Sequence, residues 1–270
     1  MLPIPIMLSL RFRKFIKGKL VVSERNYPAH YPLNNQKSLK NNAWRADGWV
    51  FQTECAKSWY GEAIKDAKSV IIPNTVNLPF AFKTFEGSRK KTIVSAGRMV
   101  PEKNQLLLIR AFAKVHRNYG NFKLVIYGDG RLRNELEKEL KRLNLTKDVS
   151  MPGFSTDWSK NSIDASLFVL SSDFEGMPNA LMEAMALGLP CISTDCEGGG
   201  ARYLIEDEKN GLLVSKNDVD ALASAMERML SDQDFAERCG HEAQKISERL
   251  APEKIYCKWE SFIKEVVGND

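Results

Sequence analysis

Two glutamates, Glu175 and Glu183, flank a glycine–proline turn and give the strongest chemical signal in this 270-residue chain. The apolar run 166–170 precedes them and predicts a buried strand. Free backbone N–H groups at the start of the helix that follows attract phosphate. Carboxylates there accept hydrogen bonds from hydroxyl groups, which sugars and ribose offer. The combination predicts a nucleotide-sugar site.

The helix after this turn is predicted over residues 179–187. Pro178 suits its first position, and Gly188 suits the residue just past its last turn. The strand therefore delivers Glu175 to a helix N-terminus, and Glu183 lies about one turn into the helix.

Two cations, Arg98 and Lys103, leave another predicted strand just before a helix. A departing nucleoside diphosphate carries growing negative charge, which fixed cations would stabilise. The alternative is that these are ordinary solvated loop residues, so the segment alone does not decide.

Three further strand ends carry glycines, and each has a plainer alternative. Asp129, between two glycines, is a candidate catalytic acid or a turn residue. Gly153 and Phe154 are placed to hold a nucleobase, although such a turn is unspecific. The run 198–200 would admit a phosphate or a sugar, or would serve as a tight connection. The two Asp-X-Asp patterns at 218–220 and 232–234 begin helices, which favours capping over metal binding.

Strands and helices alternate regularly from residue 91 onward. Strands are predicted at 92–96, 122–127, 149–151, 166–170, 191–193 and 212–214. Helices are predicted at 105–118, 131–143, 179–187, 219–230 and 235–247. This alternation predicts an α/β fold with a doubly wound, mostly parallel sheet, whose ligands bind at the carboxyl ends of the strands.

Shorter α/β pieces precede this unit. Strands are predicted at 20–23, 48–52 and 69–72, with Thr53 capping a helix over 54–60. The segment 34–42 is open between a loop and a helix start. The turn-rich connector 73–79 is the candidate hinge.

Composition excludes little. The net charge of +5 favours anionic partners such as nucleotides or a membrane surface, without requiring them. No segment reaches transmembrane length. The five cysteines form no CxxC pair and the three histidines no metal pattern, so we expect reduced cysteines in the cytoplasm and no metal site.

The basic, apolar segment 11–17 has two interpretations. It would lie on a lipid surface, or it is the end of a helix that feeds the first strand. No signal peptide is expected, because prolines interrupt the apolar residues before it and the charges follow them.

Taken in order, these motifs resemble the retaining glycosyltransferases of family 4, which have the GT-B fold. The resemblance rests on Gly97-Arg98 with Lys103, on Gly128–Gly130, on Gly153-Phe154 and on the EGxPN loop with its paired glutamates. Gly188-Leu189-Pro190 and Asn210–Val214 extend it, so that it covers about residues 20–265.

The resemblance implies a role for each site residue. Arg98 and Lys103 would contact the donor diphosphate, Glu175 the transferred sugar and Glu183 the ribose. The remaining donor-binding residues would be Gly97, Gly153, Phe154, Gly176, Met177, Pro178, Asn179, Ala180 and Leu181. It further implies a retaining, metal-independent hexosyltransferase without a cofactor, in cell-envelope polysaccharide biosynthesis.

The chain departs from the family in its first part. Members have two Rossmann-like domains of similar size, and roughly the first hundred residues of the first domain have no counterpart here. We therefore expect a partial N-terminal, acceptor-side domain over 1–73, a complete nucleotide-sugar domain over 74–250 and a helix over 251–270 that crosses back. Family residues from the absent part cannot be mapped.

Three hypotheses follow. The first is a transferase that uses a nucleoside diphosphate sugar, expected to be a UDP-sugar, and a lipid-linked glycan acceptor, with peripheral contact to the inner face of the membrane. The second is an inactive donor-binding remnant, or a subunit that a partner chain completes. The third is a sugar-nucleotide 2-epimerase, against which the EGxPN loop and the spacing from Arg98 to Lys103 argue. No nucleic-acid partner is expected.

Overall fold

A computed structural model of the chain describes residues 3–76, 85 and 87–268. Within them the strands are β1 (Val21–Glu24), β2 (Gly48–Phe51), β3 (Lys68–Ile71), β4 (Lys90–Ala96), β5 (Lys123–Tyr127), β6 (Val149–Gly153), β7 (Ala165–Leu170), β8 (Cys191–Thr194) and β9 (Leu212–Val214). The helices are α1 (Ile4–Arg11), α2 (Leu33–Asn42), α3 (Glu54–Tyr60), α4 (Gln105–Val115), α5 (Arg133–Arg142), α6 (Trp158–Asn161), α7 (Asn179–Ala186), α8 (Gly200–Leu204), α9 (Val219–Ser231), α10 (Gln233–Gln244), α11 (Ile246–Arg249) and α12 (Pro252–Val267).

The strands form two parallel sheets, with the orders β1-β2-β3 and β6-β5-β4-β7-β8-β9. From β4 the chain moves outward through β5 and β6, and it then returns to pair β7 with the other side of β4. The two halves therefore wind in opposite directions, which places a ligand crevice at the carboxyl ends of β4 and β7. The predicted doubly wound parallel sheet is confirmed.

The apolar helix faces read from the sequence form the core of the larger sheet. Leu108 and Phe112 of α4 are fully buried, as are Leu222 and Met226 of α9. All four belong to one cluster with the strand residue Ile93. Burying a side chain of this size contributes about 1.5–3 kcal/mol, so these faces hold the two helices against the sheet.

Two local predictions are wrong. Pro178 lies just before α7 rather than inside it: its backbone is extended, and its carbonyl accepts from the Met182 amide at 3.1 Å. The predicted helix over 235–247 is broken at Lys245, whose amide bonds to the carbonyl three residues earlier, at Glu242. Such a bond tightens the turn and ends the α-helical ladder.

Other local predictions are confirmed. Gly188 has a φ of +70° just past α7. Thr53 caps α3, and Asp218 and Asp232 cap α9 and α10, each with a side-chain oxygen that accepts a backbone amide. The segment 34–42 lies in helix α2.

The first sheet is joined to the rest of the chain by the connector after β3 and by α12. In the connector, the Val76 amide donates to the carbonyl of Leu250 at 3.0 Å, whereas positions 77–79 of the predicted hinge lie outside the described residues. In α12, Val266 and Phe262 pack against Gly48, where a Cβ would lie 2.7 Å and 3.1 Å from their side chains. None of the helices in the described ranges is long and apolar enough to cross a bilayer.

Candidate functional site

The loops that follow β4 and β7 meet at the switch point of the larger sheet. The loop after β4 carries Lys103, and the loop after β7 carries Glu175. These two strands are hydrogen-bonded neighbours, so their carboxyl ends open on the same crevice. The sequence predicted a donor site at these strand ends, and the structure brings both side chains together there.

Lys103 and Glu175 form a direct ion pair in which the ammonium donates to carboxylate Oε1. The lysine side chain is 20% exposed and the glutamate side chain 10%. The same oxygen accepts the Ser172 hydroxyl at 2.7 Å. Because the pair is partly desolvated, each charge fixes the other more firmly than an exposed surface pair would.

The two loops are tied together by a latch centred on Asn104. Its amide donates to the Asp173 carboxylate at 2.8 Å and to the Asn217 side chain at 2.9 Å. The Asp173 amide donates to the carbonyl of Glu102 at 2.9 Å, and the Ser171 hydroxyl donates to that of Lys103 at 3.0 Å. The neighbours of Lys103 are therefore bonded to the neighbours of Glu175, which fixes the spacing of the pair.

Replacing Asn104 with glycine is expected to weaken nucleotide binding while leaving the fold intact. Asn104 has a φ of 45°, which glycine adopts readily. Its side chain also caps α4 by accepting the Leu107 amide, and exchanging such a cap for glycine costs only a few tenths of a kcal/mol. The latch is lost, so Lys103 is held less precisely, and we expect about three- to tenfold weaker UDP binding by calorimetry.

Asn144→Gly is the matched control, since Asn144 also has a left-handed backbone, with a φ of 59°, and lies at the end of α5. It should leave UDP affinity unchanged. In a Lys103→Ala background, Asn104→Gly should have no further effect, because the latch acts through that lysine. Additive losses would show that Asn104 acts independently of Lys103.

The EGxPN segment forms an extended turn into α7, and Glu183 lies on the first turns of that helix. Burial raises the pKa of Glu183, while a hydrogen bond with the Trp158 side chain lowers it. Trp158 is 7% exposed and lies in α6, after the end of β6. Both side chains line the crevice.

The crevice is an open cleft of about 540 Å³. That size accommodates a nucleotide sugar, since small-molecule sites usually measure several hundred Å³. Its lining includes most of the predicted site residues: Gly97, Arg98, Lys103, Phe154, Glu175, Met177, Pro178, Asn179, Ala180 and Glu183.

Three predicted donor-binding residues do not line this cleft. Leu181 is fully buried in the core beneath α7. Gly176 faces the first sheet, where a Cβ would lie 2.8 Å from the Arg25 carbonyl. Gly153 ends β6, and its carbonyl accepts the Gly128 amide at 2.8 Å. Their donor-binding roles stay predictions.

Arg98 lines the cleft but does not join the ion pair. Its side chain is 73% exposed and lies 3.4 Å from the Glu102 carboxylate. Lys103 packs along Gly97 instead, within 3.6–3.8 Å of where a Cβ would stand. Lys103 is therefore the preorganised cation of the site, whereas Arg98, although paired with Glu102, is exposed enough to turn toward a ligand.

Sequence reasoning missed several residues of the cleft wall: Ala96, Tyr127, Ser155, Trp158 and Leu170. Tyr127 ends β5, a position at a strand's carboxyl end that could have marked it. Trp158 carried no such signal, because it reaches the cleft through the packing of α6. Asp129 also lines the cleft, and one of its oxygens accepts the next amide, from Gly130, at 2.7 Å, as a turn residue does.

The loop after β1 borders the Glu175 loop. The His30 ring stacks on Phe174 with centroids 3.8 Å apart, and its Nε2 lies 3.0 Å from the Glu197 carboxylate. The base of this loop is held by Glu24, which accepts the hydroxyls of Tyr31 and Tyr60. Burial raises the pKa of Glu24, although these hydrogen bonds lower it. The first sheet therefore supports the loop that carries Glu175.

A known protein family contains these motifs. The sequence model described as "Glycosyl transferases group 1" matches residues 79–246, which is more than half of the chain. The match includes every predicted site residue.

Two curated relatives are similar over long stretches. The chain is 32% identical over 252 residues to an exopolysaccharide phosphotransferase of Streptomyces coelicolor, covering 92% of this chain and 26% of that protein. It is 35% identical over 173 residues to an N-acetylgalactosaminyltransferase of Campylobacter jejuni named for a diphospho-undecaprenol acceptor, covering 63% of this chain and 46% of that protein. The chain thus spans about a quarter to a half of the length of these relatives.

Solved structures share the fold. The pneumococcal O-GlcNAc transferase GtfA, crystallised with UDP and GlcNAc, superposes with a TM-score of 0.84 at 20% identity. The alignment covers 97% of this chain and 55% of that one.

Proposed function

Because this chain belongs to the group 1 glycosyltransferases, we propose that it transfers a hexose from a nucleoside diphosphate sugar, with UDP as the nucleotide, to a glycan acceptor. The observation that carries the proposal is the Lys103–Glu175 pair at the switch-point cleft, with Glu183 on the same wall. One cation and two carboxylates are the groups that a diphosphate, a sugar and a ribose require.

The donor would reorganise the pair. A diphosphate entering the cleft competes with Glu175 for the Lys103 ammonium, and Arg98 is exposed and able to add a second cation. Glu175, still held by Ser172, would then accept hydrogen bonds from sugar hydroxyls. The amides at the start of α7 would face the phosphates, as helix N-termini commonly do.

The reaction we propose retains the anomeric configuration and needs no metal ion or cofactor. The bond from the anomeric carbon to the phosphate oxygen breaks, and the acceptor oxygen bonds to the same carbon from the same face. The acceptor proton passes to the leaving phosphate. Lys103 and Arg98 would stabilise the charge that develops on that phosphate, in place of a covalent step at a carboxylate.

We further propose a lipid-linked cell-envelope acceptor, because the Campylobacter relative is named for a diphospho-undecaprenol substrate and the Streptomyces relative for an exopolysaccharide. An enzyme with that acceptor would work peripherally at the inner face of the membrane. We propose that the acceptor side lies in residues 1–73 and the donor side in 74–250, and that the segment 251–270, which contains α12 (Pro252–Val267), links them.

Calorimetric titration with UDP, GDP and their sugars tests the donor site. UDP should bind in the micromolar range, and Glu183→Ala should weaken it by about ten- to a hundredfold, because a hydrogen-bonded charge is lost. Glu227→Ala is the control: this α9 carboxylate accepts a hydrogen bond from Asn118 outside the cleft, and its loss should change nothing.

Turnover then distinguishes catalysis from binding. Release of UDP with transfer to a lipid-linked oligosaccharide supports the proposal, and product anomericity tests retention. Absence of nucleotide binding in folded wild-type protein would overturn the proposed function.

A second candidate is a donor-binding subunit that a partner chain completes. It is favoured by the first sheet, in which, among the described residues, β1 pairs with β2 alone and leaves its other edge open. An open edge is a template for another strand. UDP binding without turnover, restored by a second chain, would support this candidate over the first.

A further inference from the structure

The helix α1 and the turn after it present an apolar stripe to solvent. Ile4, Leu8 and Phe12 recur every four residues and are 48–49% exposed, and Phe15 is 70% exposed. The opposite side of the same helix is buried, and Leu10 is fully enclosed in an apolar cluster with Leu39 and Trp49. The helix therefore has one apolar side packed in the core and another exposed to solvent.

Cations accompany the exposed rings. Arg11 lies over Phe12 at 6.0 Å and Lys14 over Phe15 at 4.9 Å. Trp44 is 64% exposed, and the Arg45 guanidinium lies 5.2 Å from the centre of its ring. The same guanidinium donates a hydrogen bond to the Arg11 carbonyl at 3.4 Å. We call this surface the basic aromatic face; it comprises Ile4, Leu8, Arg11, Phe12, Lys14, Phe15, Trp44 and Arg45.

The segment that forms most of this face is rich in basic residues. Nine lysines and arginines precede Asp47, against a single acid, Glu24, which is buried. Asp47 itself is already paired with Arg13 and Lys19. In the described part of the chain, Arg11, Lys14 and Arg45 form no ion pair. The face therefore has unneutralised positive charge beside exposed apolar side chains.

We propose that the basic aromatic face docks this protein on an anionic lipid bilayer. Rings and aliphatic side chains would enter the headgroup region, and the cations would meet lipid phosphates, as in interfacial helices. Clustered aromatic and basic residues are typical of segments at the membrane–water boundary. A protein partner would need a matching acidic apolar surface, whereas the bilayer supplies both the negative charge and the apolar layer.

This inference extends the proposed function, since docking would bring the cleft to a lipid-linked acceptor, but it is tested without donor or acceptor. If the protein binds UDP but not vesicles, only the docking inference is overturned. If the protein binds vesicles but no nucleotide, only the proposed transferase function is overturned.

The test is sedimentation with vesicles of phosphatidylcholine alone or with about a third phosphatidylglycerol, a composition that supplies the negative surface. Wild-type protein should bind the anionic vesicles, and binding should fall as salt rises. Phe12→Ser/Phe15→Ser should lower partitioning at least about tenfold, and Arg11→Gln/Lys14→Gln about thirtyfold. All these side chains are exposed, so the variants should remain folded.

Lys138→Gln/Lys141→Gln on α5 makes the same charge change away from the face and should leave binding intact. Absence of wild-type binding, or unchanged binding of both face variants, would overturn the proposal. So would a concentration-dependent dimer that Phe12→Ser/Phe15→Ser dissociates, because the face would then be a contact between copies of the chain.

Discussion

Replacing Lys103 with alanine is expected to weaken UDP binding by about ten- to a hundredfold and to slow UDP release from the donor by about 10²–10³-fold. Lys103 is the only cation in the described cleft lining that is both partly buried and directly held by an acid, Glu175. Its removal takes away the charge that would meet the diphosphate. It also leaves Glu175 largely buried with the Ser172 hydroxyl as its remaining side-chain donor.

Calorimetry with UDP and a coupled assay for UDP release measure the two effects. Lys114→Ala is the matched control, because Lys114 on the following helix also pairs with an acid, Asp220, at the surface. It should bind and turn over UDP-sugar like wild type. Thermal unfolding of both variants separates a folding defect from a site defect. If the Lys103→Ala protein is folded and binds UDP with wild-type affinity, Lys103 does not contribute to UDP binding.

The meeting of Lys103 and Glu175 could be predicted because strand ends are topologically constrained. Each residue follows an apolar run that reads as a parallel strand, and the carboxyl ends of such strands share one edge of the sheet. The glycine and proline punctuation between Glu175 and Glu183 likewise placed the helix start to within one residue. Chain order and strand direction are sufficient for these predictions.

The features of the site that depend on side-chain packing could not be predicted from the sequence. Trp158 enters the cleft wall because its ring packs near Tyr127 of β5 and Phe168 of β7, and no spacing in the sequence encodes that approach. Arg98 and Lys103 look equivalent as loop cations, yet one is exposed and the other is paired with Glu175. The two interpretations of segment 11–17 are compatible in the structure, since α1 buries Leu10 and exposes the opposite stripe.

The loop that carries Glu175 is hydrogen-bonded to the loop after β8. The Glu175 amide donates to the Glu197 carbonyl at 2.8 Å, and the Glu197 amide donates to the Asp173 carbonyl at 3.1 Å. Gly198 follows with a φ of +93°, and a Cβ there would lie 2.0 Å from the Glu175 carbonyl oxygen. Backbone on both sides leaves no flexible side chain to move aside. The glycine run, open in sequence between a ligand role and a tight connection, makes a tight connection at this position.

Gly198→Ala is therefore expected to lower the free energy of unfolding by at least about 3 kcal/mol and to abolish measurable UDP binding, because the methyl group must push the Glu175 loop away. Gly18→Ala is the matched control: its φ is +85° and a Cβ there has nothing within 4 Å, so it isolates the backbone strain of about 1–2 kcal/mol. Chemical denaturation and UDP calorimetry on both proteins measure the difference. If Gly198→Ala yields no folded protein while Gly18→Ala folds, the prediction is also met, because the destabilisation then exceeds the stability of the protein. Equal stabilities with wild-type UDP affinity would show that the two loops can separate without disturbing the site. The position of Glu175 would then be set by the Lys103 ion pair and the Asn104 latch alone.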